Sequence, residues 1–152
     1  MPRRLLIVQH TPSPAVQEML EAVIKGANHP EVQGVAVEVR AALSAGPADV
    51  LEADGIVLGT PANIGYMSGA MKHFLDQVYY PCLEVTVGLP YGVYVHGNDD
   101  TSGAIRALHK IAGGMQWKQV AEDVSLVGAP TKEGLNACQE LGALLALQVA
   151  GY

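Results

Sequence analysis

The feature of this sequence that most limits its fold is an alternation. Short apolar runs are separated by stretches in which apolar residues return every three or four positions. Leu5 to Val8 and Gly55 to Leu58 are continuous apolar runs, the pattern of strands buried on both faces of a parallel sheet. Residues 92–95 read as another strand, ending at His96 and Gly97. Val35, Val37 and Val39 instead alternate with Ala36, Glu38 and Arg40, which suits a half-solvated edge strand. A fifth strand is predicted within 120–127.

Helical stretches fill the gaps. Val16, Met19, Leu20, Val23 and Ile24 mark the first, with Ser13 as N-cap, Pro14 in the first helical position and a stop near Gly26. Residues 41–54 carry a short helix or an irregular crossover. Met67, Met71, Phe74, Leu75 and Val78 mark the next helix; Ile105, Leu108, Ala112 and Met115 follow. The last carries Leu135, Cys138, Leu141, Leu145 and Val149, with Thr131 as its cap. Strand-helix alternation requires right-handed crossovers and a parallel sheet with helices on both faces. With the polar strand at an edge, the expected architecture is an α/β three-layer sandwich, five strands in the order 2-1-3-4-5. Such sheets bind ligands beyond the carboxyl ends of strands 1 and 3. The loops after Val8, Leu58 and Val95 are therefore the candidate site.

A length of 152 residues fits one domain, 1–152, and no repeat or linker divides it. Nine basic against fifteen acidic residues, a net charge of −6, argue against nucleic-acid binding, which needs a clustered basic face. The apolar runs are too short for a membrane span, and Met1 to His10 turns polar too soon for a signal peptide, so a cytoplasmic protein is expected. Cys82 and Cys138 show no CxxC spacing and are expected as free thiols. No metal site is predicted, since His96, Asp99 and Asp100 match no ligand spacing.

The first loop, Gln9 to Met19, opens a helix, and a helix N-terminus is a ready anion site. Thr11 and Ser13 add hydroxyls for a phosphate, with no Lys or Arg near in sequence; Ser13-Pro14 is equally a good helix start. In the second loop, Gly59, Pro61 and Gly65 set up an irregular turn in which Asn63 can take the left-handed conformation. Its backbone N–H and C=O groups are presented edge-on, as a planar polar ligand would need, although by residue type alone it is only a strand-to-helix turn. In the third loop, Asp100 or Thr101 is expected to cap the helix. His96 either meets a ligand or simply finishes its strand. His73 and His109 fall on helices as ordinary surface or interface positions.

The segment GTPANIGYMSGAMKHFLDQ, from Gly59 onward, resembles the ring-binding loop and following helix of the superfamily of flavodoxins and NAD(P)H-dependent FMN/quinone reductases. The resemblance implies a flavodoxin-like fold over the whole chain and FMN as cofactor. It implies ring contacts from Pro61, Ala62, Asn63, Ile64 and Gly65, and from His96, Gly97, Asn98 and Asp99 on the other flank. The phosphate would meet the run Thr11, Pro12, Ser13, Pro14, Ala15, Val16. That run departs from the carrier pattern T-x-T-G-x-T, because two prolines remove N–H donors and Val16 replaces the last hydroxyl.

The activity implied is electron transfer from NAD(P)H through FMN to a quinone, flavin or similar small acceptor. The cofactor carries the chemistry, so no catalytic side chain is expected. The alternatives are a flavodoxin-type electron carrier and a flavin-free interaction module of the same fold. Apolar positions at Tyr79 to Leu83 and at Leu144 and Leu147 point to a homo-oligomer.

Overall fold

The computed structural model describes residues 2–152. Its elements in chain order are β1 (Arg3–Gln9), α1 (Pro14–Ala27), β2 (Val35–Ala41), α2 (Pro47–Glu52), β3 (Gly55–Asn63), β4 (Tyr66–Met67), α3 (Gly69–Cys82), β5 (Pro90–Gly97), α4 (Ser102–Gly114), β6 (Lys118–Gln119), β7 (Val124–Val127) and α5 (Lys132–Ala150). The sheet order is β2-β1-β3-β5, with β6 and β7 both pairing with β5, and β4 antiparallel to β3. The fold is the expected flavodoxin-like sandwich with a parallel sheet. Two details differ from a plain five-strand reading. The last strand position is shared by two short pieces, and a two-residue strand makes a hairpin with the end of β3.

The continuous apolar runs arise because each central strand feeds two cores. Leu5 and Ile7 of β1, Val57 of β3 and Tyr94 of β5 pack against α1 and α5. Leu6 and Val8, Ile56 and Leu58, and Val93 and Val95 pack on the α3 and α4 side. Period-two alternation thus puts apolar residues on both faces. β2 covers only one neighbour and its residues Val35 to Val39 are half-buried. There Glu38 accepts from Arg4 at 3.1 Å, and Arg4 also reaches Glu52 at 3.0 Å. Arg4 is thereby spent on the edge strand and on α2.

Helix starts follow the caps. Ser13 Oγ accepts from the Val16 amide at 3.5 Å, and Thr131 Oγ1 accepts from the Gly134 amide at 3.0 Å. α1 and α5 cross at unusually short range through glycines. A Cβ on Gly142 would lie 2.0 Å from the Val23 carbonyl oxygen, and one on Gly26 would lie 1.9 Å from that of Gln139.

Residues 120–123 leave the sheet between β6 and β7 and are tied down by side chains. His109 on α4 bonds to Tyr91 Oη at 2.6 Å through Nδ1 and to Asp123 at 2.7 Å through Nε2. Gln119 donates to the Ala121 carbonyl at 3.0 Å. His109 is therefore a clasp between β5, α4 and this excursion, beyond the surface position expected of it. Among the described residues no helix is long and apolar enough to cross a membrane. Both cysteines are buried and free, and burial pushes the Cys138 thiol up to about 11.

Candidate functional site

The loops after β1, β3 and β5 meet at the carboxyl end of the sheet, as strand order requires. They enclose a cavity of about 390 Å³, and a fourth loop, after β7, closes one side. That volume lies in the usual range for small-molecule sites. Of the residues singled out by sequence, Ser13, Ala15, Pro61, Ala62, Asn63, His96, Gly97 and Asn98 line it. Pro12, Pro14, Gly128 and Ala129 line it too. Thr11 lies on the far side of its loop, where its hydroxyl bonds Gln9 Oε1, and it lines a separate hollow with Ala41 and Leu43. Val16 is fully buried under α1. Ile64, Gly65 and Asp99 are exposed outside the cavity lining.

Local chemistry explains the shape of the second loop. Thr60, fully buried, donates to the Pro61 carbonyl at 2.8 Å and accepts from the Ser68 amide at 3.0 Å. Ser68 Oγ then accepts from the Met71 amide at 3.2 Å and starts α3. This network fixes both legs of the β3–β4 hairpin. The two residues at its tip, Ile64 (φ 51°) and Gly65 (φ 73°), are both left-handed, as a two-residue hairpin of this twist demands. The left-handed position thus falls on Ile64, one residue beyond Asn63, because Asn63 pairs with Tyr66 in the ladder. A β-branched residue there costs about 1–2 kcal/mol. The tip rests on the first turn of α4, where a Cβ on Gly103 would lie 2.0 Å from the Gly65 carbonyl oxygen.

His96 is 7% exposed, and its Nε2 meets the Gly128 carbonyl at 2.7 Å. A carbonyl only accepts, so Nε2 carries a proton and donates this bond. The Gly128 amide also donates to the Gly97 carbonyl at 2.9 Å. These two bonds bring the fourth loop to the cavity. The sequence carries a signal for it, since Gly128 and Pro130 punctuate the end of a strand whose carboxyl end must face the same side.

In the third loop the capping is divided. Asp100 accepts from the Ser102 amide at 2.9 Å and from its hydroxyl at 3.0 Å, while Thr101 turns its hydroxyl to Ser125. The backbone bond from Ser102, then its hydroxyl, and the Arg106 charge hold the Asp100 carboxyl below its ordinary value of 3.8. A carboxyl lowered in the folded state stabilises it above the unfolded value. That contribution disappears as pH falls through the lower, folded value. Asp100→Asn is therefore expected to flatten the acid side of the stability profile, read as urea midpoints between roughly pH 5 and pH 2. Equal slopes for the two proteins would contradict this.

The cavity offers uncharged donors. The backbone amides of Ser13, Ala15 and Asn98 have no acceptor within the described chain. His96 is the sole ionisable side chain in the lining. Among the described residues no three His, Cys, Asp or Glu side chains gather as metal ligands would.

A parallel sheet in this order with a cavity at its switch point defines the flavodoxin-like class. A flavodoxin structure from the domain Archaea superposes with a TM-score of 0.82 over 96% of this chain and 98% of its own, at 19% identity. The chain belongs to the NADPH-dependent FMN reductase family, which matches residues 10–131. An Acidithiobacillus ferrooxidans protein named NAD(P)H dehydrogenase (quinone) is 34% identical over an alignment covering 49% of this chain and 46% of its own length. An Aquifex aeolicus flavodoxin is 35% identical, covering 49% of this chain and 40% of its own. The chain thus matches less than half the length of each of these relatives.

FMN fits the residues present. A phosphomonoester needs N–H donors, and the start of α1 offers two free amides, those of Ser13 and Ala15, together with its dipole and without a cation. A flat ring needs a slot between apolar walls with a few polar backbone groups, which Pro61, Ala62 and Gly97 border.

Proposed function

We propose that this protein binds FMN and passes electrons from NAD(P)H to a quinone, a flavin or a similar small acceptor. The observation that carries the reading is the cavity itself. Its lining joins free amides at a helix start to apolar walls. Ser13 and Ala15 would hold the phosphate by their backbone amides, and the Thr60–Ser68 network would keep the ring-facing hairpin in place. His96 would hold the fourth loop at the cavity edge through its Nε2–H bond to the Gly128 carbonyl. The hydride and electron chemistry would come from bound FMN, with the protein supplying orientation and field. The chain would act as a carrier instead if no nucleotide reduces it, and the likeness to the Aquifex flavodoxin supports keeping that reading second.

The test is optical. Protein mixed with FMN and passed through gel filtration is expected to emerge yellow, and NADPH or NADH is then expected to bleach it without air. Yellow protein that neither nucleotide bleaches would favour the carrier. Colourless protein would refute FMN binding.

A further inference from the structure

His96 is the one ionisable side chain in the cavity lining, and it is 7% exposed. Its Nε2–H donates to the Gly128 carbonyl, a bond that is the same whether the ring carries one proton or two. Nδ1 has no hydrogen-bond partner among the described residues. The unpartnered atoms sealed inside protein are His10 Nδ1 and Tyr94 Oη, so His96 Nδ1 opens on the cavity.

Strand alternation fixes the side of the cavity on which this ring stands. Tyr94 and His96 share a face of β5, and Tyr94 packs toward α1 and α5. Pro61, the register partner of His96 on β3, stands on the same face. His96 therefore lies on the side where α1 begins, with the free amides of Ser13 and Ala15. Those amides and the helix dipole attract an anion but carry no net charge. A bare nitrogen lone pair would repel a phosphate oxygen, whereas a proton on it makes a charge-assisted hydrogen bond.

We infer that His96 is the proton-dependent cation of an anion site: Nδ1 takes up a proton as a phosphomonoester binds, so the protein holds a phosphorylated ligand more tightly as pH falls toward neutrality. The inference rests on the FMN reading for its ligand, and adds a charge that the helix start lacks. No neighbouring element sets a second charge in the cavity. Asp99 and Asp100 before α4, Glu18 on α1, and Lys132 and Glu133 on the first turn of α5 are all exposed and outside the lining. Asp100 is turned to Ser102, and His10 lines a separate hollow. β3 and β7 bring only Pro61 and Leu126 into register with His96. A buried charge is costly unless paired. The phosphate dianion supplies that pair, so proton and anion enter together.

Fluorescence quenching provides the test, with FMN compared against riboflavin, which lacks the phosphate. Both are measured at roughly pH 7 and pH 9, above the second ionisation of a phosphomonoester near 6. FMN is expected to bind about tenfold more tightly at the lower pH, and riboflavin equally at both. His96→Gln keeps an amide donor for the Gly128 carbonyl and should bind FMN without this pH dependence. Ring nitrogen-15 spectra of the unmutated protein read the proton directly, whether or not the variant folds. FMN should move the Nδ1 signal toward its protonated position, and riboflavin should leave it in place. Equal FMN affinity at both pH values, an equal gain for riboflavin, or a gain that survives in His96→Gln would overturn the inference. Protein that binds FMN at neither pH refutes the FMN reading by itself. Inorganic phosphate then takes the place of FMN in the ring spectra: a shifted Nδ1 signal upholds the anion site, and an unmoved one overturns it.

Discussion

Gly142→Ala is expected to destabilise the protein by about 2–3 kcal/mol, read as a lower urea midpoint with an unchanged slope. Helix propensity alone points the other way, since alanine is the better helix former by ~1 kcal/mol. Packing decides the sign. The added methyl would sit 2.0 Å from the Val23 carbonyl oxygen and 2.9 Å from the Ala27 amide nitrogen. Both are backbone atoms, so no rotamer change relieves the clash and α1 must back away from α5. That opens the core around Met19, Val23, Cys138 and Leu145, all fully buried. Gly113 on α4 provides the control, because a Cβ there meets nothing within 4 Å. Gly113→Ala should stabilise by about 0.4–1 kcal/mol. The same chemical change with opposite signs would isolate the helix crossing as the cause. A Gly142→Ala protein as stable as its parent would show that α1 and α5 yield freely.

The second large effect concerns the cavity. Gly103→Ala is expected to weaken FMN binding roughly thirtyfold, equivalent to about 2 kcal/mol, with little change in the unfolding midpoint. The new methyl would lie 2.0 Å from the Gly65 carbonyl oxygen, so the hairpin tip must lift from α4. Pro61, Ala62 and Asn63 lie on the leg of that hairpin which borders the cavity. Binding would then require pushing the tip back against the clash, at a cost in affinity. The overall fold is spared because the tip residues are exposed and belong to neither core. FMN fluorescence quenching reads the affinity directly. Unaltered affinity in a normally folded variant would mean the hairpin does not shape the site.

Local pattern and long-range geometry divide what could be read from the sequence. Leu5 to Val8 and Gly55 to Leu58 announce themselves because two-sided burial leaves no polar position. Ser13 and Thr131 were legible as caps because a cap is a contact over three residues. The sheet order followed from one polar-alternating strand, Val35 to Val39. The missing parts depend on ladder register, on side-chain competition or on distant partners. Whether Asn63 or Ile64 takes the left-handed position depends on ladder register with Tyr66, which composition does not encode. Thr101 resembles a helix cap, yet its hydroxyl is drawn to Ser125, 24 positions away. Thr11 was a natural phosphate ligand by type, but its neighbour Gln9 engages it. Gly128 and Ala129 reach the cavity only because His96 and Gly97 bind that loop from another strand.

The division of the last strand position into β6 and β7 bears on how copies of this chain can meet. An open sheet exposes a row of unmatched amides and carbonyls at each margin, an invitation to continue the ladder with a neighbouring molecule. Here one margin offers two residues, then an excursion clasped by His109 and Gln119, then four more. The other margin, β2, is studded with Glu38 and Arg40. Neither presents the long, flat, uncharged template on which fibrils grow. Self-association of this protein would therefore run through helix surfaces, and it should remain dispersed at concentrations where unguarded sheets stack.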